Sequence, residues 1–217
     1  MDLTIDLKQT LIFGDSYSTF ENYIPQGYAA YYTEIPITDT DVTKVTETWW
    51  HMLLSEAGGN LLLNNSWSGS TIGYTGYENA DCSGTSSFIF RFRQLKESGF
   101  FKGNKVDTVL IFGGTNDSWC NAPVGSLQYS DWKKEDLYCV LPAVSCFFHE
   151  LKEELPDANL ICLINTELKP EIEEGLKAAG SHYGIHSISL QNIDKISGHP
   201  TIEGMKNIKD QVLAYLQ

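Results

Sequence analysis

Five short apolar runs recur along the chain, and in several of them the apolar residues are consecutive rather than alternating. They are Thr10–Phe13 (TLIF), Asn60–Leu63 (NLLL), Val106–Phe112 (VDTVLIF), Leu160–Asn165 (LICLIN) and Gly184–Leu190 (GIHSISL). A strand with one wet face alternates apolar and polar side chains, whereas a strand covered on both faces does not need to. None of the runs approaches the roughly 20 apolar residues of a membrane-spanning helix. The pattern is that of short strands in the middle layer of a sandwich.

Segments of helical period fill the gaps. Thr48–Ala57 stops at Gly58-Gly59, and Ser86–Lys96 places Phe88, Phe92 and Leu95 on one face. Lys134–Leu155 is the longest candidate, with Pro142 expected to start, kink or divide it. Pro170–Ala179 opens on a proline and is expected to stop at Gly180, and Thr201–Leu216 closes the chain. Strands alternating with helices predict a parallel α/β sheet of about five strands, covered on both sides as a three-layer α/β/α sandwich. With no linker, repeat or low-complexity tract, residues 1–217 read as a single domain. Glu21–Thr46 and Gly73–Thr85 read as long loops.

In such sheets ligands gather beyond the carboxyl ends of the strands, and polar motifs stand at those ends here. The first run enters Gly14-Asp15-Ser16, where a glycine permits a tight turn and the serine hydroxyl can stand at the rim. The same serine could simply cap a helix turn, and its hydroxyl is a weak nucleophile without a base. The second run leads to Ser66-Trp67-Ser68-Gly69, whose glycine lets a backbone N–H approach a ligand closely. The third leads to Gly114-Thr115-Asn116-Asp117, where Asn116 can aim its amide at a developing oxyanion or merely close an Asx turn. Gly198-His199-Pro200-Thr201 leads into the last helix and carries a candidate base.

Gly14-Asp15-Ser16, Gly69, Gly114-x-Asn116 and His199-Pro200 follow the order and spacing of the four blocks of the SGNH (GDSL-type) hydrolases, and the chain resembles that superfamily along nearly its whole length. The resemblance implies a flavodoxin-like sandwich and hydrolysis of esters or thioesters through an acyl-enzyme. It implies Ser16 as nucleophile, His199 as general base, and an oxyanion hole of the Ser16 N–H, the Gly69 N–H and the Asn116 amide. One departure matters. The family usually places an acid three residues before the histidine, and Ile196 stands there. Either Asp194 reaches back to orient the imidazole, or a backbone carbonyl does so and leaves a Ser–His dyad.

Net charge is −13, which disfavours phosphate backbones and anionic lipid surfaces as partners. Nucleic acid and membrane are therefore not expected as partners, and the resemblance implies a small-molecule ester instead. No HExxH, phosphate loop or basic stripe occurs, so no cofactor or metal is expected. His182 and His186 have a ligand-like spacing, but Gly184 interrupts it. His51 and His149 read as ordinary helix residues. The five cysteines include no CxxC pair and read as reduced, with one bridge among Cys82, Cys120 and Cys139 as the alternative. The N-terminal residues lack a signal-peptide pattern, so the expected location is cytoplasmic, or exported with the leader already removed. Tyr17, Trp67 and Trp119 are the expected substrate contacts, with Trp49, Tyr74 and Tyr77 nearby in sequence. A small-acyl esterase, acetyl above all, with acetylated carbohydrate among its candidate substrates, leads over a thioesterase or lysophospholipase and over a non-catalytic binding module.

Overall fold

The computed structural model describes residues 5–35 and 38–217. Five strands form one parallel sheet: β1 (Thr10–Gly14), β2 (Leu61–Ser66), β3 (Thr108–Phe112), β4 (Asn159–Ile164) and β5 (His186–Ser189). Their order is β2-β1-β3-β4-β5. The order reverses at β1, so the crevice between the ends of β1 and β3 is the topological switch point, where open α/β sheets bind ligands.

Consecutive strand residues face opposite layers, which is why the runs lack alternation. Leu11, Phe13, Val109, Ile111, Leu160 and Cys162 join one core, against helices α2 (Phe88–Glu97), α5 (Val140–Glu154) and α6 (Pro170–Tyr183). Ile12, Leu110, Phe112, Ile161 and Leu163 join the other, against α1 (Trp49–Ala57) and α7 (Ile202–Leu216). The expected three-layer sandwich is therefore what forms. Two short helices, α3 (Phe100–Gly103) and α4 (Thr115–Trp119), complete the set.

Several expected boundaries move, each for a local reason. Lys134–Leu155 is not one helix: a 3₁₀ turn covers Lys134–Tyr138, and α5 starts at Val140 so that Pro142 falls in its first turn, where its missing N–H costs nothing. Gly180 does not stop α6. It lies inside the helix facing Ser187, and the helix ends at Gly184 in the left-handed conformation (φ 66°). The final helix starts one residue late, because Thr201 caps it by accepting the Gly204 N–H. The region before it, expected as loop, contains a hairpin of β6 (Lys195–Ile196) and β7 (His199–Pro200). The two central residues, Ser197 and Gly198, have φ of 47° and 80°. Positive φ at both matches a primed hairpin turn, whose twist suits the flanking strands.

All five cysteines are unpaired. No helix among the described residues is long and apolar enough to cross a membrane.

Candidate active site

The site forms where β1, β2 and β3 end. Gly14 closes β1, and a Cβ there would lie 2.5 Å from Ser66 Oγ and 2.6 Å from the Ser18 side chain, so only glycine lets β1 and β2 turn out side by side. Asp15 caps the short turn Ser16–Ser18, its Oδ1 accepting the Tyr17 N–H at 3.0 Å. The turn is pinned from behind. Trp49 Nε1 donates to Ser18 Oγ, and the Ser18 carbonyl accepts from Trp50 Nε1 (2.9 Å) and Asn64 Nδ2 (2.7 Å). The tryptophan pair of α1 is thus buried support rather than a substrate wall.

Ser16 is 3% exposed, and its Oγ lies 2.9 Å from His199 Nε2. The other ring nitrogen, Nδ1, faces the Ser197 carbonyl at 3.3 Å. That contact calls for the tautomer with its proton on Nδ1 and a lone pair on Nε2, ready to take a hydroxyl proton. Burial pushes the imidazole below its ordinary value. The Ser197 carbonyl and the Asp39 charge oppose this, and the Lys195 charge adds to it. The ring is therefore neutral at pH 7, as a base requires.

Asp194 is not part of this arrangement. Its Oδ2 accepts the Thr201 hydroxyl and its carbonyl accepts the Thr201 N–H at 3.1 Å, so it braces the helix cap and the base of the hairpin. Of the two alternatives for orienting His199, the geometry is that of the carbonyl.

Asn116, 2% exposed at the start of α4, donates its amide to the Ser70 carbonyl at 2.9 Å and accepts the Tyr77 hydroxyl at 2.8 Å. These bonds fix which end of the amide is N–H and leave its second hydrogen for the rim. Gly69 is exposed with φ 80°. Neither its N–H nor that of Ser16 has a hydrogen-bond acceptor among the described residues. The loop behind Gly69 is held by Asp117, whose carboxylate accepts the Ile72 and Gly73 N–H groups.

The expected substrate contacts divide. Trp119 is 41% exposed and presents an edge to His199, with centroids 5.8 Å apart. Trp67 is half-buried and lies over Tyr28 at 4.2 Å and 34°. Tyr17 is corrected: it is fully buried, and its hydroxyl donates to the Gly198 carbonyl, tying the Ser16 turn to the hairpin. It cannot border an entrance.

Two residues at the site escaped sequence reasoning. Arg91 on α2 is fully buried, and its guanidinium donates to the Gly14 carbonyl, the Asn65 carbonyl and Oδ1, and Ser70 Oγ. It stitches together the ends of β1 and β2 and the loop of Gly69, and burial pushes its pKa down to about 9. Tyr31 lies parallel to the His199 ring at 3.6 Å and 7°. The only available signal was the density of tyrosines in Glu21–Thr46. Among the described residues no group of three or more His, Cys, Asp or Glu could hold a metal.

The arrangement can deprotonate a hydroxyl and stabilise an anion beside it. The GDSL-like lipase/acylhydrolase family matches residues 8–216. The chain is similar to a GDSL-like lipase structure from Bacteroides ovatus, with 42% identity, a TM-score of 0.90, and coverage of 97% of this chain and 98% of that one. A second, from Bacteroides uniformis, shares 42% identity at a TM-score of 0.89, covering 96% and 95%. An acetyl xylan esterase from Butyrivibrio proteoclasticus shares the fold at 16% identity and a TM-score of 0.61, covering 100% of this chain and 64% of that one. No curated protein sequence matches the chain.

Proposed function

The chain belongs to the GDSL-like lipase/acylhydrolase family and is an ester-hydrolysing enzyme; from that membership we propose that Ser16 is its nucleophile, His199 its general base, and a small-acyl ester of a carbohydrate, acetyl above all, its substrate. The observation that carries this is the 2.9 Å contact between Ser16 Oγ and a neutral, half-buried imidazole.

In this reading Nε2 takes the Ser16 proton as Oγ bonds to the acyl carbon. The carbonyl electron pair moves onto oxygen, where the Ser16 N–H, the Gly69 N–H and the Asn116 amide receive it. Such donors are usually the largest catalytic contribution, and losing one costs roughly 10²–10³ in kcat. The imidazolium then passes its proton to the departing alcohol, leaving the acyl group on Ser16. Water repeats the sequence with His199 again as base, releasing the acid. With no carboxylate on Nδ1, the Ser197 carbonyl accepts a hydrogen bond from Nδ1–H throughout, making a dyad.

The carbohydrate part rests on the aromatic surroundings. Trp119 and Tyr77 are each over 40% exposed beside the site, and the Tyr28–Trp67 pair offers a further flat face. Such side chains give apolar area with a polar tip, which suits a sugar ring. The acetyl xylan esterase among the fold neighbours points the same way.

The test is turnover of p-nitrophenyl esters of increasing acyl length, together with acetylated xylose oligomers. Acetate should be the preferred acyl group, and Ser16→Ala should abolish turnover. Unchanged turnover in Ser16→Ala would remove Ser16 from the mechanism. A rate that climbs with acyl length would favour a thioesterase or lysophospholipase, and a Ser16 that resists fluorophosphonate labelling would favour a binding module.

A further inference from the structure

Besides Ser16 itself, the in-plane partner of His199 among the described residues is the Ser197 carbonyl, at 3.3 Å. That is longer than a good N–H···O bond, and the outer torsion of histidine is broad. Rotation about that torsion would carry Nε2 away from Ser16. Tyr31 stands against the motion, because its ring lies flat on the imidazole at 3.6 Å and 7°. On other sides Trp119 meets the ring edge-on at 74° and Tyr17 is tilted at 55°.

The Tyr31 ring is itself held at both ends. Its backbone N–H donates to Thr19 Oγ1 at 2.9 Å, and the Thr19 hydroxyl donates to the Ser16 carbonyl at 3.0 Å. Its phenol donates to the Asp39 carbonyl at 3.1 Å, while the Asp39 carboxylate accepts the Ser197 hydroxyl at 3.2 Å. The stack is thus anchored to the nucleophile's own turn on one side and to the histidine hairpin on the other.

We propose that Tyr31 is a positioning residue for His199 that takes over the orienting role usually given to a carboxylate. It keeps the imidazole plane directed at Ser16, and its face attracts the imidazolium formed when the serine proton is taken. An aromatic face is electronegative, so this attraction grows as the ring becomes charged, which is where it accelerates reaction. Asp39 and Lys195 are the charges acting on the ring, and neither replaces a carboxylate in its plane. The proposal rests on the serine-esterase reading, and its test has an arm that does not.

Tyr31→Phe and Tyr31→Leu are compared in the full chain by kcat and KM for p-nitrophenyl acetate, and by ¹⁵N NMR of the His199 ring without substrate. Tyr31→Phe keeps the aromatic face but loses the bond to the Asp39 carbonyl, so it should lower kcat far less than Tyr31→Leu and keep the ring proton on Nδ1. Tyr31→Leu should lower kcat by about tenfold or more with little change in KM, since small misplacements are that costly. Its ring-nitrogen shifts should move towards a mixture of tautomers. Should Tyr31→Leu fail to fold, Tyr31→Gln replaces it, keeping length without an aromatic face. A loss confined to KM would make Tyr31 a substrate contact and overturn the proposal, as would unmoved kcat and unmoved ring shifts. If the unsubstituted protein turns over no ester, the esterase reading falls. The ring shifts then decide alone: displaced in Tyr31→Leu they support positioning, and unmoved they overturn it.

Discussion

A carboxylate on Nδ1 stabilises imidazolium by full charge, while a carbonyl offers only a dipole. In this protein the carbonyl is at 3.3 Å and burial works against the charged ring. The rate should therefore rise with pH around a midpoint below the ordinary histidine value of 6.5, because a lowered pKa keeps the base neutral into mildly acidic solution. Asp194 supplies the sharper check. Asp194→Asn retains an oxygen for the Thr201 hydroxyl, so the helix cap survives. It should lower kcat by less than about tenfold, or ~1.4 kcal/mol, against the ~10⁴-fold expected where an aspartate sets the tautomer. A loss near 10³ would return Asp194 to the site. Ser16, Gly69 and Asn116 could be singled out because each follows an apolar strand with its own local motif, and His199 because Gly198-His199-Pro200 stands at the entry of the last helix. Tyr31 was not, because its partner lies far off in sequence and nothing around Tyr31 encodes the stack.

The hairpin that carries His199 shows why elements differ in legibility. Strands β1, β3 and β4 announce themselves by consecutive apolar residues, since both faces are covered. Strands β6 and β7 have two residues each, too few for any period, and their Ser197-Gly198 turn is not one of the strong hairpin pairs. What holds the hairpin is remote: Tyr17 on the Gly198 carbonyl, Tyr32 on the Pro200 carbonyl at 3.0 Å, and Trp119 beside Gly198. Gly198 has φ 80°, and a Cβ there would meet Trp119 Cη2 at 2.9 Å. Gly198→Ala should then cost about 1–3 kcal/mol of local strain and shift the adjacent His199. The expected result is a fall in kcat of about tenfold or more, with the circular dichroism of the sandwich unchanged. A variant with unaltered kcat would mean that the hairpin tolerates displacement and does not set the geometry of the base.

Across the molecule, the reactive rim sits above two fully buried carboxylates that the sequence reading did not single out as buried. Asp15 is raised to about 7, chiefly by burial, with the Asp117 charge adding and the Tyr17 N–H and Arg91 opposing. Asp117 is raised to about 6, again chiefly by burial, against the Ile72 and Gly73 N–H groups. An acid whose folded pKa lies above its unfolded value holds more protons when folded, so stability falls as pH rises between the two values. For Asp15 that window runs from 3.8 to about 7. His199 acts in the opposite sense, since its lowered pKa makes stability rise with pH towards 6.5. The growing net negative charge of an acidic chain also weakens the fold as pH rises. Asp15→Asn cancels these common contributions when compared with the unsubstituted protein, and it keeps an oxygen for the Tyr17 N–H. Urea denaturation of the two proteins from pH 4 to pH 8 should show the variant gaining relative stability through the Asp15 window and levelling off above it. The total gain should be on the order of a few kcal/mol. Parallel curves would mean that Asp15 ionises in the fold as readily as in water, and that the tight turn under Ser16 is built without that electrostatic cost.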